Sequence, residues 1–165
     1  ANETVNGILS NIKIAAFRSC GKEVRGLLEF EYQGDPAVLP PLSLAYVGDA
    51  VYELYVRRNL LKQSTKVHHL HQLAIRRVNN NTQAALLESI LPELTEKEAA
   101  IAKRGRNAKS GQVPKNADVV TYRWSTGLEA LVGYLYLAKD EERLAWILGQ
   151  IEGIVAAYEQ REGKR

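Results

Sequence analysis

Two long apolar stretches of this chain each carry a carboxylate near the middle: Asp49 in LSLAYVGDAVYELYV and Glu129 in TGLEALVGYLYLA. A carboxylate taken out of water must be paired, neutralised or bound to a cation, because desolvation otherwise costs more than the fold returns. Just before Glu129 lies KRGRNAKSGQVPKNADVVTYR, where six of the seven charged side chains from Lys103 to Arg123 are basic. Acids able to gather a cation beside a basic strip suit a metal-dependent enzyme that acts on a polyanion. Plainer readings exist for each acid. Asp49 would be a helix-interior acid neutralised by Arg57 or Arg58, and Glu129 a first-turn acid favoured by a helix dipole. Glu53, one turn after Asp49 on the same face, reads as a surface ion-pair partner more readily than as a third ligand.

The basic strip alternates Lys and Arg with Gly, Asn and Ser. Short side chains and a pliant backbone let several donors converge on phosphates, against the alternative of a merely solvated connection. The candidates for such contacts are Arg104, Arg106, Asn107, Lys109, Lys115 and Asn116, with Tyr122 and Arg123 closing the site. His68 and His71 share a face if their segment is helical, yet no Cys or HExxH pattern accompanies them, so zinc is not expected. Trp124 and Trp146 read as core or interface anchors.

These groups must be held by helices. From Leu42 to Leu61 the apolar residues are too dense and the run too long for a strand, so the segment reads as a core helix entered through Pro40 and Pro41, with Arg57 and Arg58 at its end. Helices are also expected through LHQLAIRRV, opened by Ser64 or Thr65, and through NNNTQAALLESIL. Thr95 with Glu98 forms a capping-box pattern for TEKEAAIAKRGR. Ser125 or Thr126 is expected to open the Glu129 helix, and one or two helices follow from Asp140 to Tyr158. A short amphipathic helix in VNGILSNIKIAAF precedes the loop GDPAVLPP, and KSGQVPKN is a second loop. No alternating strand pattern appears, so the chain is expected to be all-α.

Composition agrees with one globular domain. The 165 residues are 45% hydrophobic and 25% charged, with a net charge of only +3. Any affinity for nucleic acid must therefore come from the segregation of charge, with acids gathered at Glu93, Glu96, Glu98 and again at Asp140, Glu141, Glu142. The single Cys20 excludes an internal disulfide framework and points to a reducing compartment. No run is long enough to span a bilayer and no secretory layout is visible, so a soluble protein without membrane attachment is expected.

The segments AYVGDAVYELYVRRNL, KRGRNAKSG, PKNADVVTYRWST and GLEALVGYLYL resemble, in order and spacing, Mini-ribonuclease III, the small branch of the ribonuclease III superfamily without a double-stranded-RNA-binding domain. The resemblance covers about residues 42–151. It implies a ribonuclease III-like helical bundle at 39–158, after an N-terminal extension at 1–38 of uncertain role and before a polar tail at 159–165. It places Asp49 and Glu129 as the catalytic, metal-holding acids. Larger relatives carry further acids where this chain has Leu42, Ala45 and Thr126, which leaves a thin shell to be completed by water, RNA phosphate or Glu53. Mg²⁺, with Mn²⁺ as a substitute, is the implied cofactor, and Mg²⁺ is content with one or two carboxylates plus waters and phosphate.

The resemblance further implies a homodimer joined through the Asp49 helix. Its substrate is double-stranded RNA, cut on both strands to leave 5′-phosphates, 3′-hydroxyls and short 3′ overhangs. The natural target is the paired ends of the 23S ribosomal RNA precursor. A ribosomal protein stands as an optional further partner, and the location is cytoplasmic, or the plastid for a chain of organellar origin. The competing reading is a non-catalytic dimeric RNA-binding or ribosome-assembly factor. A helical protein–protein adaptor is a weaker third.

Overall fold

The computed structural model describes residues 30–109 and 118–162. The chain divides into a unit Ala1–Gln33, described only from residue 30, and a unit Gly34–Arg165. The expected amphipathic helix near the start, Cys20 and most of KSGQVPKN fall outside the described residues. In the second unit the described chain is helical throughout, without strands: α1 (Pro41–Leu60), α2 (Val67–Val78), α3 (Asn80–Ile90), α4 (Glu96–Asn107), α5 (Val119–Leu137), α6 (Glu141–Gly149) and α7 (Ile151–Glu162). One 3-10 turn, Pro36–Val38, precedes α1, and another, Leu91–Glu93, joins α3 to α4.

The helix starts follow local chemistry. Pro41 opens α1, where its missing N–H costs nothing. Asn79 caps α3 by accepting from the Thr82 N–H at 2.9 Å. The capping box of α4 is complete: the Glu98 carboxylate accepts from the Thr95 N–H at 2.8 Å, and the Thr95 hydroxyl accepts from the Glu98 N–H at 3.3 Å. Two starts differ from expectation. Helix α2 begins after Lys66 without a side-chain cap, the Ser64 hydroxyl instead accepting from the Lys66 N–H within the preceding turn.

The larger difference is in α5, which starts at Val119 under an Asp118 cap. The hydroxyls of Ser125 and Thr126 both donate to the Tyr122 carbonyl, so these residues bond back along a continuing helix where they were expected to open one. Glu129 is consequently a mid-helix acid, and a first-turn dipole role is excluded.

Helix α5 is the axis of the bundle, packed by α1, α3 and α4. Leu128, Ala130, Leu131, Val132 and Leu135 are buried on every side of it. Helix α1 contributes Leu44, Tyr52, Val56 and Leu60, spaced by four residues or multiples of four along one stripe. Two ion pairs tie the periphery to this core. Arg77 of α2 donates to Glu152 of α7 through Nε and Nη2, at 2.7 and 2.6 Å, and to the Leu73 carbonyl through Nη1, while its own carbonyl accepts from the buried Tyr52 hydroxyl. Arg143 of α6 donates to Glu98 of α4 at 2.7 Å and stacks on Trp146.

Candidate active site

The α1 stripe of Leu44, Gly48, Tyr52, Val56 and Leu60 has a gap in the middle, because Gly48 has no side chain. The matching gap in α5 is Gly133. A β-carbon added there would overlap the Leu44 carbonyl oxygen, so the two helices meet backbone to backbone. Asp49 follows Gly48 at the margin of this crossing, and Glu129 sits one turn before Gly133 on α5. The crossing therefore delivers one acid from each apolar helix to the same edge, close enough for the charge of Asp49 to act on Glu129.

Their environments differ. Asp49 is exposed and Glu129 half-buried, so the apolar sequence around Asp49 overstates its burial. Helix α1 lies on the surface and carries both an inner and an outer apolar face. Partial desolvation, and then the nearby Glu53, push the Asp49 carboxyl up. Burial, and then Asp49, push Glu129 up to about 8, opposed by a hydrogen bond from the Gln83 amide. Two carboxylates held together against their mutual repulsion form a donor set that suits a hard divalent cation, which relieves both burial and repulsion. Asp49 and Glu129 are the residues that would hold it. Among the described residues no three acidic, His or Cys side chains converge as a fuller cage.

Neighbouring residues sort themselves by contact. Glu53 pairs with Arg57 at 2.7 Å across one turn of α1, the ion-pair role expected of it, and Arg57 therefore does not neutralise Asp49. Thr126 is buried and its hydroxyl is spent on the Tyr122 carbonyl, while Ala45 is buried in the core, so neither position adds a ligand. The three histidines of α2 are exposed, and His68 meets Gln72 at 3.1 Å. Gln83 of α3 is the neighbour that the sequence reading overlooked. It is 1% exposed and shares a helical face with buried Leu87 and Ile90, so a polar residue at a core-spaced position was the available signal.

The basic candidates are dispersed. Arg104 on α4 donates to the carbonyls of Ala37 and Leu39, fastening the Pro36–Val38 turn. Arg106 lies over the Trp124 ring, 4.7 Å from its centroid. Asn107, Lys109 and Arg123 are exposed, and Tyr122 is half-buried two turns before Glu129 on the same face of α5. Lys115 and Asn116 lie outside the described residues.

An all-helical bundle of this kind is consistent with a ribonuclease III-type endoribonuclease. The family model for the Ribonuclease III domain matches residues 42–140. The chain is 52% identical to the Mini-ribonuclease 3 of Symbiobacterium thermophilum, over 69% of this chain and 88% of that protein. It is 51% identical to that of Desulfitobacterium hafniense, over 74% and 78%. A crystal structure of a Fusobacterium nucleatum protein superposes with a TM-score of 0.66 at 30% identity, covering 73% of this chain and 98% of that one. The chain belongs to the Mini-ribonuclease III branch of the ribonuclease III family and is an endoribonuclease. Enzymes of this type act on double-stranded RNA and generally depend on a divalent metal. No helix among the described residues is long and apolar enough to cross a membrane.

Proposed function

We propose that this endoribonuclease uses Asp49 and Glu129 to hold Mg²⁺, or Mn²⁺ in its place, and cleaves the paired ends of 23S ribosomal RNA precursor as a homodimer. The observation that supports the reading is the α1–α5 crossing, where Gly48 meets the main chain of Glu129 and the charge of Asp49 acts on the Glu129 carboxyl, while Glu53 is taken up by Arg57. When bound, the cation supplies an activated water and charge stabilisation at the phosphate. Asp49, in contact with solvent, presents its carboxylate toward the approaching backbone. Glu129, carried on a helix packed by α1, α3 and α4, sets the orientation of the site. Arg106, Asn107, Lys109, Tyr122 and Arg123 are the phosphate contacts of this reading, with Lys115 and Asn116 added from the sequence alone, while Arg104 is spent on the Ala37 and Leu39 carbonyls. A-form RNA offers shape, phosphates and 2′-hydroxyls more than base edges, so recognition is chiefly geometric.

The second copy is supported by the outer face of α1. Leu54 is 68% exposed, and with Leu61, Val67, Leu70, His71 and Ala74 it lines an open apolar groove of about 450 Å³ between α1 and α2. An outward apolar groove on the helix that carries Asp49 suits an isologous contact with a second copy. The functional test is incubation of a structured duplex RNA with and without Mg²⁺, for the native chain and Glu129→Gln. Cleavage that needs both the metal and the acid is expected; metal-independent cutting, or full activity in Glu129→Gln, overturns the reading. Asp49→Asn separates enzyme from binding factor: the enzyme loses cleavage and keeps RNA affinity.

A further inference from the structure

The Gln83 oxygen Oε1 is fully buried and has no hydrogen-bond partner among the described residues. The polar residues just before it are satisfied: Asn79 accepts from the Thr82 N–H and donates to the carbonyls of Ile75 and Arg76, and the Thr82 hydroxyl donates to the Arg76 carbonyl. An orphaned buried acceptor costs about 1–3 kcal/mol. Leu in its place would remove the orphaned acceptor and fit its surroundings, since Gln83 stands on the Leu87 and Ile90 face of a helix packed against α5. Packing alone does not account for a glutamine here.

The amide has two ends on one rigid plane. Its nitrogen donates to the Glu129 carboxylate, and its oxygen is carried on the same amide carbon. An acceptor in that place calls for a donor. A cation held by only two carboxylates keeps most of its waters, and these are strong donors because the cation polarises them. Partners of this kind orient ligands and typically change metal affinity by about 10–100-fold.

We propose that Gln83 is a positioning residue of the metal site, with Nε2 fixing the Glu129 carboxylate and Oε1 accepting from a water on the bound cation. The proposal rests on the reading of Asp49 and Glu129 as metal ligands. It assigns α3, a helix that carries no acid of the site, a part in holding the metal.

The test is Mn²⁺ binding to RNA-free protein, read by calorimetry and by the loss of the free Mn²⁺ paramagnetic resonance signal. Gln83→Leu is expected to keep its helical circular dichroism and melting temperature while Mn²⁺ affinity falls roughly 10-fold or more. Gln83→Met serves the same comparison should the leucine variant not fold. Gln83→Glu, which keeps an oxygen at the position, is expected to regain Mn²⁺ binding and to show a larger Mn²⁺-induced rise in melting temperature than the native chain. A merely structural glutamine gives the opposite pattern: lower melting temperature with affinity unchanged. If the native chain binds Mn²⁺ and the Leu or Met variant binds within twofold of it, the role of Gln83 is overturned and the metal site stands. If Glu129→Gln binds as well as the native chain, the site assignment itself falls, and this proposal with it.

Discussion

The α-carbon of Gly48 lies against the main chain of Glu129, and any β-carbon at position 48 would overlap the Glu129 carbonyl oxygen. The residue before one acid thus touches the backbone of the other. The spacing of the two helix backbones that carry the carboxylates is set by main-chain contact.

Gly48→Ala tests this directly. In an ordinary exposed helix the change would add up to about 1 kcal/mol of stability, because alanine is the better helix former. Here the added methyl meets backbone, and overpacking of this kind costs about 1–3 kcal/mol or more. A lower melting temperature with loss of cleavage is expected; a chain that melts higher and cuts normally would show that the crossing does not set the site.

Leu54→Glu addresses the outer face of α1. An acid in the apolar groove puts an unpaired charge into a self-complementary contact, where two copies would face each other. Sedimentation equilibrium should show the native chain as a dimer and the variant as a folded monomer. A native chain that sediments as a monomer removes the second copy from the proposal.

Arg104 and Arg106, two residues apart, should behave differently. Arg106 is held by a ring face and leaves its donors outward, so Arg106→Ala should weaken duplex binding and lower the slope of log affinity against log salt by about 1. Arg104 already spends its donors on the Ala37 and Leu39 carbonyls. Its alanine variant should lose about 1 kcal/mol of stability and leave the salt slope nearly as it was. Equal salt slopes for both variants would mean that the carbonyl contacts do not hold Arg104 when RNA is present.

Much of this arrangement is legible in the residues. The apolar density of α1, the Thr95–Glu98 box and the two acids in apolar helices all mark their elements, because each is a local signal with one physical cause. Three features are not local. Serine and threonine ahead of Glu129 look like helix starters, yet their hydroxyls fold back onto Tyr122, and whether they cap or continue depends on the burial that α3 and α4 impose. Asp49 looks buried because α1 is apolar on two sides, and only the fold shows that one of these faces solvent. The placement of Gln83 beside Glu129 depends on which helix α5 packs against, which no spacing within α3 reveals.

The raised Glu129 carboxyl makes stability and metal affinity depend on pH in opposite ways. Its folded value, about 8, lies above the 4.5 of an ordinary glutamate, so from pH 4.5 upward the unfolded chain gives up a proton that the native chain keeps. Unfolding then releases protons, and the metal-free protein loses stability as pH rises through that window. Asp49 shifts in the same direction, while Glu98, which burial raises but its bonds from Arg143 and Thr95 lower further, and Glu152, lowered by Arg77, lose their contributions only on the acid side. Melting curves in a chelator between pH 5 and pH 8 should therefore fall more steeply for the native chain than for Glu129→Gln, which cannot ionise. Mn²⁺ must displace the same proton, so its affinity should climb over the same range and level off above about 8. Parallel melting curves for the two proteins would mean that Glu129 is not held protonated by its burial and by Asp49.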